Sequence, residues 1–223
     1  MKLVQFLSPG AAPDSLRLGL VEGDDVVDLT TLPPHPRSLY DVYYNHGGSS
    51  EGLETTVASV AESASSAARC PLDELLANVS DTDRPRLTRP VSPSPGALHT
   101  LRIWLAGVTH ADSAKLREIE AKQATGDSVN VYEQKYRECA AGGIPELFPK
   151  TDPDDVVGPG EPIARPADTR RLVPETELVT VYGLNDAGEV ERLGYTGGND
   201  YTDNGIEAEN PLNLPQAKNW HGG

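Results

Sequence analysis

The sequence predicts an α+β fold, because strand-like segments near both ends of the chain are separated by helical ones. Residues 16–21 and 26–29 flank a Glu-Gly-Asp-Asp turn, a pattern that is typical of a β-hairpin. Residues 178–182 and 190–195 enclose a second turn of Asn, Asp and Gly and predict another hairpin. Between the hairpins, residues 49–68 place apolar side chains at helical spacing.

The length of the chain and a stretch rich in Pro and Gly predict two domains joined by a linker. A length of 223 residues fits one large domain or two small ones. Pro and Gly recur over residues 81–100, so we expect an N-terminal domain with its linker over 1–95 and a second domain over 96–223. In the second domain, the apolar run 101–108 predicts a buried strand, and residues 111–142 have a helical pattern.

The acidic balance of the chain argues against two classes of partner. Asp and Glu number 34 against 19 Lys and Arg, which gives a net charge of −15 at pH 7. A nucleic-acid backbone and an anionic membrane surface both attract basic patches, so we expect neither as a partner. No apolar run approaches the ~20 residues of a membrane span, and the first residues lack a signal-peptide pattern, so we expect a cytoplasmic protein.

The two cysteines give no sign of a metal or disulfide framework. Cys70 and Cys139 lie far apart in the sequence, and neither belongs to a Cys-x-x-Cys pair. We therefore expect two ordinary thiols.

Acidic side chains at the second predicted hairpin form the strongest candidate site. Glu175 and Glu177 lie two residues apart at the start of a strand, where alternate side chains share a face. Asp200 follows the returning strand, so the hairpin can bring a third carboxylate to them. An oxygen-only set of this kind suits Mg²⁺ or Mn²⁺. In so acidic a chain, the alternative is a solvated strand edge.

Several motifs in the second half of the chain occur in a recognisable order. They are Pro-Glu-Leu-Phe-Pro-Lys at 145–150, Val-Val-Gly-Pro-Gly-Glu-Pro-Ile at 156–163, Val-Pro-Glu-Thr-Glu-Leu at 173–178, Gly-Tyr-Thr-Gly-Gly-Asn-Asp at 194–200 and Ile-Glu-Ala-Glu-Asn-Pro-Leu-Asn-Leu-Pro-Gln-Ala-Lys at 206–218. Over residues 100–218 the chain resembles the fumarylacetoacetate hydrolase family. Its last motif is similar to the branch that dehydrates 2-keto-3-deoxy-pentonates. The resemblance implies a small N-terminal β-rich domain followed by a catalytic domain with a mixed β-roll.

This resemblance implies a metal-dependent site with a lysine beside it. Glu175, Glu177 and Asp200 match the metal carboxylates of the family. A 2-oxo acid can chelate Mg²⁺ or Mn²⁺ through its carboxylate and keto oxygens, and the metal stabilises charge as the C3 proton leaves. Lys218 matches the lysine near the metal and is the expected base for that proton, although a lone lysine is more often an exposed charge.

Five further residues are expected by the same resemblance to contact the substrate or to support the metal. They are Lys150, Thr196, Asn210, Gln216 and Ser113. Ser113 lies where the hydrolases of the family keep the histidine that activates water, and the loss of that base favours dehydration over hydrolysis. For Asn210 and Gln216 the alternative is an ordinary loop amide.

Two glutamates on the following predicted helix are candidates for the general acid. In the family this helix forms a lid, and Glu118 or Glu120 could protonate the leaving C4 hydroxyl. The alternative is a solvated helix face.

Two departures from the family pattern leave three functions open. Asn204 stands where an arginine is expected, and an amide cannot replace the charge of a guanidinium. The chain also ends shortly after Lys218, so we expect an incomplete β-roll. We expect first a lyase, a hydro-lyase that converts a 2-keto-3-deoxy sugar acid to a 2,5-dioxo acid in pentose catabolism. The alternatives are an acylpyruvate-type carbon–carbon hydrolase or decarboxylase, and an inactive truncated family member.

The resemblance also implies the partners of the chain. Family members form dimers or tetramers, so we expect a homo-oligomer. Its ligand is expected to be a small 2-oxo acid.

The composition predicts a halophilic protein. Lysines number 6 against 13 arginines and 34 acids, and salt screens the mutual repulsion of acidic side chains. We expect the unfolding temperature to rise between about 0.1 M and about 2 M KCl, measured by thermal unfolding. A transition that salt does not move would contradict this adaptation.

Overall fold

The computed structural model describes residues 1–10, 15–93, 101–107, 111–112, 114–115, 118–119, 122, 131–210 and 213–222. Helices and antiparallel strands are both present, which confirms the α+β class. The chain forms two compact units, and each is assembled from three stretches of sequence. The first comprises Met1–Leu101, Val156–Ile163 and Leu178–Gly198; the second comprises Arg102–Asp155, Ala164–Glu177 and Asn199–Gly223. The single boundary between residues 95 and 96 stays a prediction.

A five-stranded antiparallel sheet is the centre of the first unit. Its strands are β1 (Leu3–Leu7), β2 (Leu16–Glu22), β3 (Asp25–Asp28), β4 (Arg69–Pro71) and β5 (Arg86–Leu87), in the order β4-β3-β2-β1-β5. The predicted first hairpin is present, because Glu22 pairs with Asp25 across the turn. Gly23 in that turn has φ +62°, which glycine adopts without steric cost. Strand β5 lies inside the predicted linker and pairs with β1.

The helices of the first unit follow β3 and flank β4. They are α1 (Leu39–Asp41), a π-helical turn (Val42–Gly47), α2 (Ser50–Glu62) and α3 (Leu72–Ala77), with 3₁₀ turns at Leu29–Thr31 and Ala64–Ser66. Helix α2 begins after Ser49, whose side chain accepts a hydrogen bond from Gly52 N. The helix ends at Glu62, six residues before the end of the predicted helical segment.

The apolar core of the first unit lies on the two faces of the sheet. The larger cluster contains Leu18, Val27, Leu29, Leu32, Val42, Tyr43, Leu53, Val57, Val60 and Ala64. The smaller one contains Phe6, Val26, Leu75 and Leu87. The neighbours Val26 and Val27 fall in different clusters because successive side chains of a strand point to opposite faces.

The second predicted hairpin is also present, and its strands are β9 (Thr176–Leu184) and β10 (Val190–Asn199). At its turn, Asn185 Oδ1 accepts hydrogen bonds from Ala187 N at 3.0 Å and Glu189 N at 2.9 Å. Gly188 has φ +76°, as a tight turn of this kind requires. The side chain of Asn185 therefore sets where the chain reverses.

Polar contacts fix this hairpin to the helical part of the first unit. Tyr40 Oη donates to Tyr182 O at 2.7 Å. Glu191 Oε2 accepts from Tyr43 Oη at 3.0 Å and from Ser50 N at 2.8 Å, at the start of α2. These three contacts hold both strands of the hairpin in place.

The second unit consists of short elements that surround a few buried polar side chains. They are β6 (Trp104–Ala106), α4 (Val131–Ala140), β7 (Leu147–Pro149), β8 (Leu172–Val173), β11 (Thr202–Asp203), α5 (Asn204–Glu209) and α6 (Leu214–Lys218). Strand β6 pairs with β7, and β8 pairs with β11. The predicted buried strand at 101–108 is wrong over its described part, because β6 is only three residues long and Trp104 is 60% exposed. Within the described residues, the helices are all too short or too polar to cross a membrane.

We predict that replacing a core side chain of the sheet destabilises the protein strongly. Leu18→Ala removes a side chain with 0% exposure and should lower the free energy of unfolding by about 2–5 kcal/mol, measured by urea denaturation. The matched control is Leu76→Ala on α3, where the leucine is 60% exposed and the expected change is below about 0.5 kcal/mol. Equal effects of the two substitutions would contradict this core.

Candidate active site

The base of the β9–β10 hairpin brings Glu175 and Asp200 together. Asp200 N donates to Glu175 O at 2.8 Å, and Glu175 N donates to the side-chain oxygen of Asn199 at 2.8 Å. Beyond them the pairing continues, because Thr202 in β11 lies opposite Val173 in β8. Hydrogen bonds of the backbone therefore hold the two acids next to each other.

The ammonium of Lys218 lies between these two carboxylates. Its Nζ donates to Asp200 Oδ2 at 2.5 Å, to Thr202 Oγ1 at 2.7 Å and to Glu175 Oε2 at 3.2 Å. Lys218 ends the short helix α6, and its side chain is 5% exposed. Two carboxylates this close would repel each other without a cation between them, and Lys218 supplies that charge.

A second lysine approaches Asp200 from the opposite oxygen. Lys150 follows β7, and its Nζ lies 3.1 Å from Asp200 Oδ1. The same Nζ donates to the backbone carbonyls of Tyr201 at 2.9 Å and of Lys218 at 2.5 Å. Burial lowers the pKa of Lys150, and the negative charge of Asp200 offsets part of that effect.

The four ionisable groups of this cluster balance in charge. Lys150 and Lys218 contribute two positive charges, and Glu175 and Asp200 contribute two negative ones. The Asp200 and Lys150 side chains are 4% and 7% exposed, whereas Glu175 keeps 21%. Buried charges are tolerated in proteins when they are paired and hydrogen-bonded, so this arrangement is internally consistent. Glu175 is the member of the cluster that solvent reaches most easily.

Thr202 belongs to the same cluster, and the motifs did not single it out. It is fully buried, accepts from Lys218 and donates to Asp200 O at 3.2 Å. The signal in the sequence was its position two residues after Asp200. A Thr hydroxyl there can both donate and accept hydrogen bonds beside the predicted charged groups.

The donor atoms fit a hard dication in their chemistry, but the predicted set of three is not assembled. Carboxylate oxygens are the ligands that such a dication prefers, and Asp200 Oδ1 is buried with the Lys150 ammonium 3.1 Å away as its ion-pair partner. Across the part of the chain that the structure describes, no three His, Cys, Asp or Glu side chains are grouped so that they could hold a metal ion. The Lys218 ammonium lies between Glu175 and Asp200, and the place of Glu177 in the metal site stays a prediction.

The remaining predicted site residues lie in simpler surroundings. Glu118 Oε1 accepts from Glu133 N at 3.0 Å, in the first turn of α4. Asn210 and Gln216 are exposed, at the end of α5 and within α6 respectively. The Thr196 hydroxyl donates to Gly197 O at 3.3 Å. Ser113 and Glu120 lie outside the described residues.

The segment that departs from the family pattern forms the start of α5. Asp203 Oδ1 accepts from Gly205 N at 3.0 Å and from Ile206 N at 3.2 Å, which caps the helix. Asn204 is buried and donates to Glu207 Oε2 at 3.2 Å. Asp203 and Asn204 thus stabilise the start of α5, the helix that follows the site.

We predict that Lys218 is a major source of stability in the second unit. Lys218→Met leaves Asp200 and Glu175 without their shared cation and should lower the free energy of unfolding by about 3–5 kcal/mol at pH 7, measured by urea denaturation. The control Lys135→Met removes a lysine of α4 that is 36% exposed and should cost less than about 1 kcal/mol. A Lys218 variant as stable as the control would contradict the ion cluster.

No protein-family profile matches this chain. It is 35% identical over 137 residues to the 2-dehydro-3-deoxy-D-arabinonate dehydratase of Saccharolobus solfataricus. The aligned residues are 61% of this chain and 41% of that protein. It is 40% identical over 116 residues to a Haloferax volcanii protein named "Probable 2-keto-3-deoxyxylonate dehydratase". The aligned residues are 52% of this chain and 35% of the relative. The chain thus spans less than half the length of either relative.

Solved structures give the same picture for the fold. A 2-keto-3-deoxy-D-arabinonate dehydratase complexed with magnesium and 2,5-dioxopentanoate is 25% identical, with a TM-score of 0.60 over 100% of this chain and 63% of that chain. A fumarylacetoacetate hydrolase from the psychrophilic Exiguobacterium antarcticum has the same fold at 22% identity, with a TM-score of 0.59 over the same shares. The predicted resemblance to the fumarylacetoacetate hydrolase family, and within it to the 2-keto-3-deoxy-pentonate dehydratases, is therefore confirmed.

Proposed function

We propose that this chain carries the site of a metal-dependent dehydratase that converts a 2-keto-3-deoxy pentonate to a 2,5-dioxo acid. The observation that carries the proposal is the buried Lys218 ammonium held between Glu175 and Asp200. Similarity to two dehydratases, and to a solved dehydratase with magnesium and 2,5-dioxopentanoate, supports it. Because the chain spans less than half of each curated relative, the activity of the chain itself is part of the proposal.

Glu175 and Asp200, joined by Glu177, are the residues that would hold the metal. Mg²⁺ or Mn²⁺ bound there supplies a Lewis acid that stabilises negative charge on the keto oxygen of a 2-oxo acid. The charges of the cluster support this assignment. Its two lysines and two acids already balance, so a dication needs two more negative charges. Glu177 and the carboxylate of the substrate would provide them.

Lys218 is proposed to take the proton from C3 of the substrate. All three of its N–H groups donate in the present arrangement, so it can accept a proton only after it gives one away and releases an oxygen partner. The oxygens that it releases are those the metal would use. As the C3–H bond breaks, the C4–O bond breaks too and the hydroxyl leaves as water. This leaves a C3=C4 double bond conjugated with the keto group. A proton then moves from C5 to C3, and the resulting C4=C5 enol tautomerises to an aldehyde at C5, so the net change is the loss of one water.

The other site residues keep the roles that the resemblance implies. Glu118 or Glu120 would donate the proton to the leaving C4 hydroxyl, for which Glu118 must leave its contact with the first turn of α4. Asn210, Gln216, Thr196 and Ser113 are proposed to contact the substrate. Asn210 and Gln216 are both exposed to solvent.

A second candidate function is a structural ion cluster in a family member without activity. The observation in its favour is that the three acids are not grouped for a metal within the described residues. Two of these acids, Glu175 and Asp200, already have their charge balanced by Lys150 and Lys218. Turnover by the purified chain separates the two candidates.

Two further properties are proposed on the sequence alone. The acidic composition supports work in a cytoplasm of high ionic strength, where cations screen the net charge of −15. Self-association into a homo-oligomer is proposed from the resemblance.

We predict that the purified chain with Mg²⁺ converts 2-keto-3-deoxy-pentonate to a 2,5-dioxo acid, detected by the appearance of the product aldehyde. EDTA should stop turnover, and Mg²⁺ should restore it. Glu177→Ala should lower kcat/KM at least about 100-fold through loss of a metal ligand, and Lys218→Ala should do so through loss of the base.

The control for both variants is Glu54→Ala, which removes an exposed acid of α2 and should leave turnover unchanged. Turnover that persists in EDTA, or in either site variant, would contradict the proposed roles. No turnover by the wild-type chain would favour the structural ion cluster.

A further inference from the structure

Lys150 has a set of contacts that does not suit the substrate contact expected of it. An ammonium carries three N–H groups. Two of them donate to the carbonyls of Tyr201 and Lys218, and the third side of the group faces Asp200 Oδ1 at 3.1 Å. The residue as a whole is 5% exposed. The donors of Lys150 are thus used within the protein, and none remains for a sugar acid.

The three partners of Lys150 are the parts of the chain that carry the site. Tyr201 O lies between Asp200 and Thr202, and both of these contact the Lys218 ammonium. Lys218 O is the last carbonyl of α6, so the bond to it fixes the end of the helix from which the Lys218 side chain extends. One buried ammonium therefore joins the returning strand of the hairpin to the helix that carries Lys218.

The position of Lys150 is itself well determined. Its backbone N donates to Ile103 O at 3.0 Å, which extends the β6–β7 pairing by one residue. The indole ring of Trp220 lies 4.9 Å from Nζ, and its Nε1 donates to Ala164 O at 2.7 Å. A side chain held by a strand and covered by an aromatic ring is suited to hold other groups in place.

We infer that Lys150 is a positioning residue that orients Asp200 and Lys218, rather than a residue that binds the substrate. It keeps Asp200 Oδ2 turned toward Lys218 by occupying the Oδ1 side, and it keeps α6 at the distance at which Lys218 reaches both acids. This inference rests on the proposed function for its kinetic consequences, but the geometry that it describes does not depend on turnover.

The test compares Lys150→Met with the wild-type chain and with the control Lys135→Met, which changes a partly exposed lysine of α4. Magnesium binding is measured by calorimetry, the exposure of Lys218 by reductive methylation and mass spectrometry, and turnover by steady-state kinetics. We expect Lys150→Met to weaken Mg²⁺ binding by about 10–100-fold, as loss of a residue behind a metal ligand does. It should also increase the methylation of Lys218 and lower kcat, with KM changed less than about threefold. Lys135→Met should match the wild type in every measurement.

Two results would overturn the inference. A raised KM with unchanged kcat and Mg²⁺ affinity would make Lys150 a substrate contact. A lower unfolding temperature with unchanged Lys218 methylation and Mg²⁺ affinity would make it a residue of structural importance alone.

If Lys150→Met does not fold, a variant that keeps the positive charge can be measured in its place. Lys150→Arg retains a cation beside Asp200 but not the compact geometry of an ammonium. It should still increase Lys218 methylation, and an unchanged value would contradict the inference. The methylation readout also separates this inference from the proposed function. A wild-type chain without turnover or Mg²⁺ binding would refute the proposed function, while the Lys218 labelling of the variants would still decide the role of Lys150.

Discussion

The contact on which the second unit depends is the buried ion cluster in which Lys218 lies between Glu175 and Asp200. Removing a charged group from water costs several kcal/mol, so none of these groups could be buried alone. They are tolerated together because each carboxylate faces an ammonium and because Thr202 and backbone carbonyls use the remaining hydrogen-bonding positions. An ion cluster of this kind tolerates few substitutions, because the loss of any one charged side chain leaves an unpaired charge in the interior.

The same contacts serve the fold and the proposed chemistry. The hairpin base sets the distance from Glu175 to Asp200 through backbone hydrogen bonds, and the β8–β11 pair continues that alignment to Thr202. Helix α6 then brings Lys218 to this edge, and Lys150 holds the helix end there. For a dication to bind, Lys218 has to give up oxygens that now satisfy its charge. Metal binding and release of the lysine are therefore coupled in this account.

Much of the fold was predictable because it follows from local pattern. The hairpin turns have residues that favour reversal, and the buried Leu53, Val57 and Val60 follow the helical period of α2. The buried strand predicted from the apolar run at 101–108 is wrong, because a run of that length does not show which side chains are covered by other parts of the chain. Trp104 remains exposed. The motifs pointed to Glu175, Asp200 and Lys218. They could not reveal how Lys150 is used, because its hydrogen-bond acceptors are main-chain carbonyls that carry no signature of side-chain type.

The proposed metal site is tested most directly by a crystal structure of the chain grown with Mn²⁺, with anomalous scattering used to locate the metal. We expect one strong peak at bonding distance, about 2.0–2.2 Å, from carboxylate oxygens of Glu175 and Asp200, with the Lys218 ammonium moved away from at least one of them. A peak elsewhere, or no peak with Lys218 still donating to both acids, would refute a metal site at these residues.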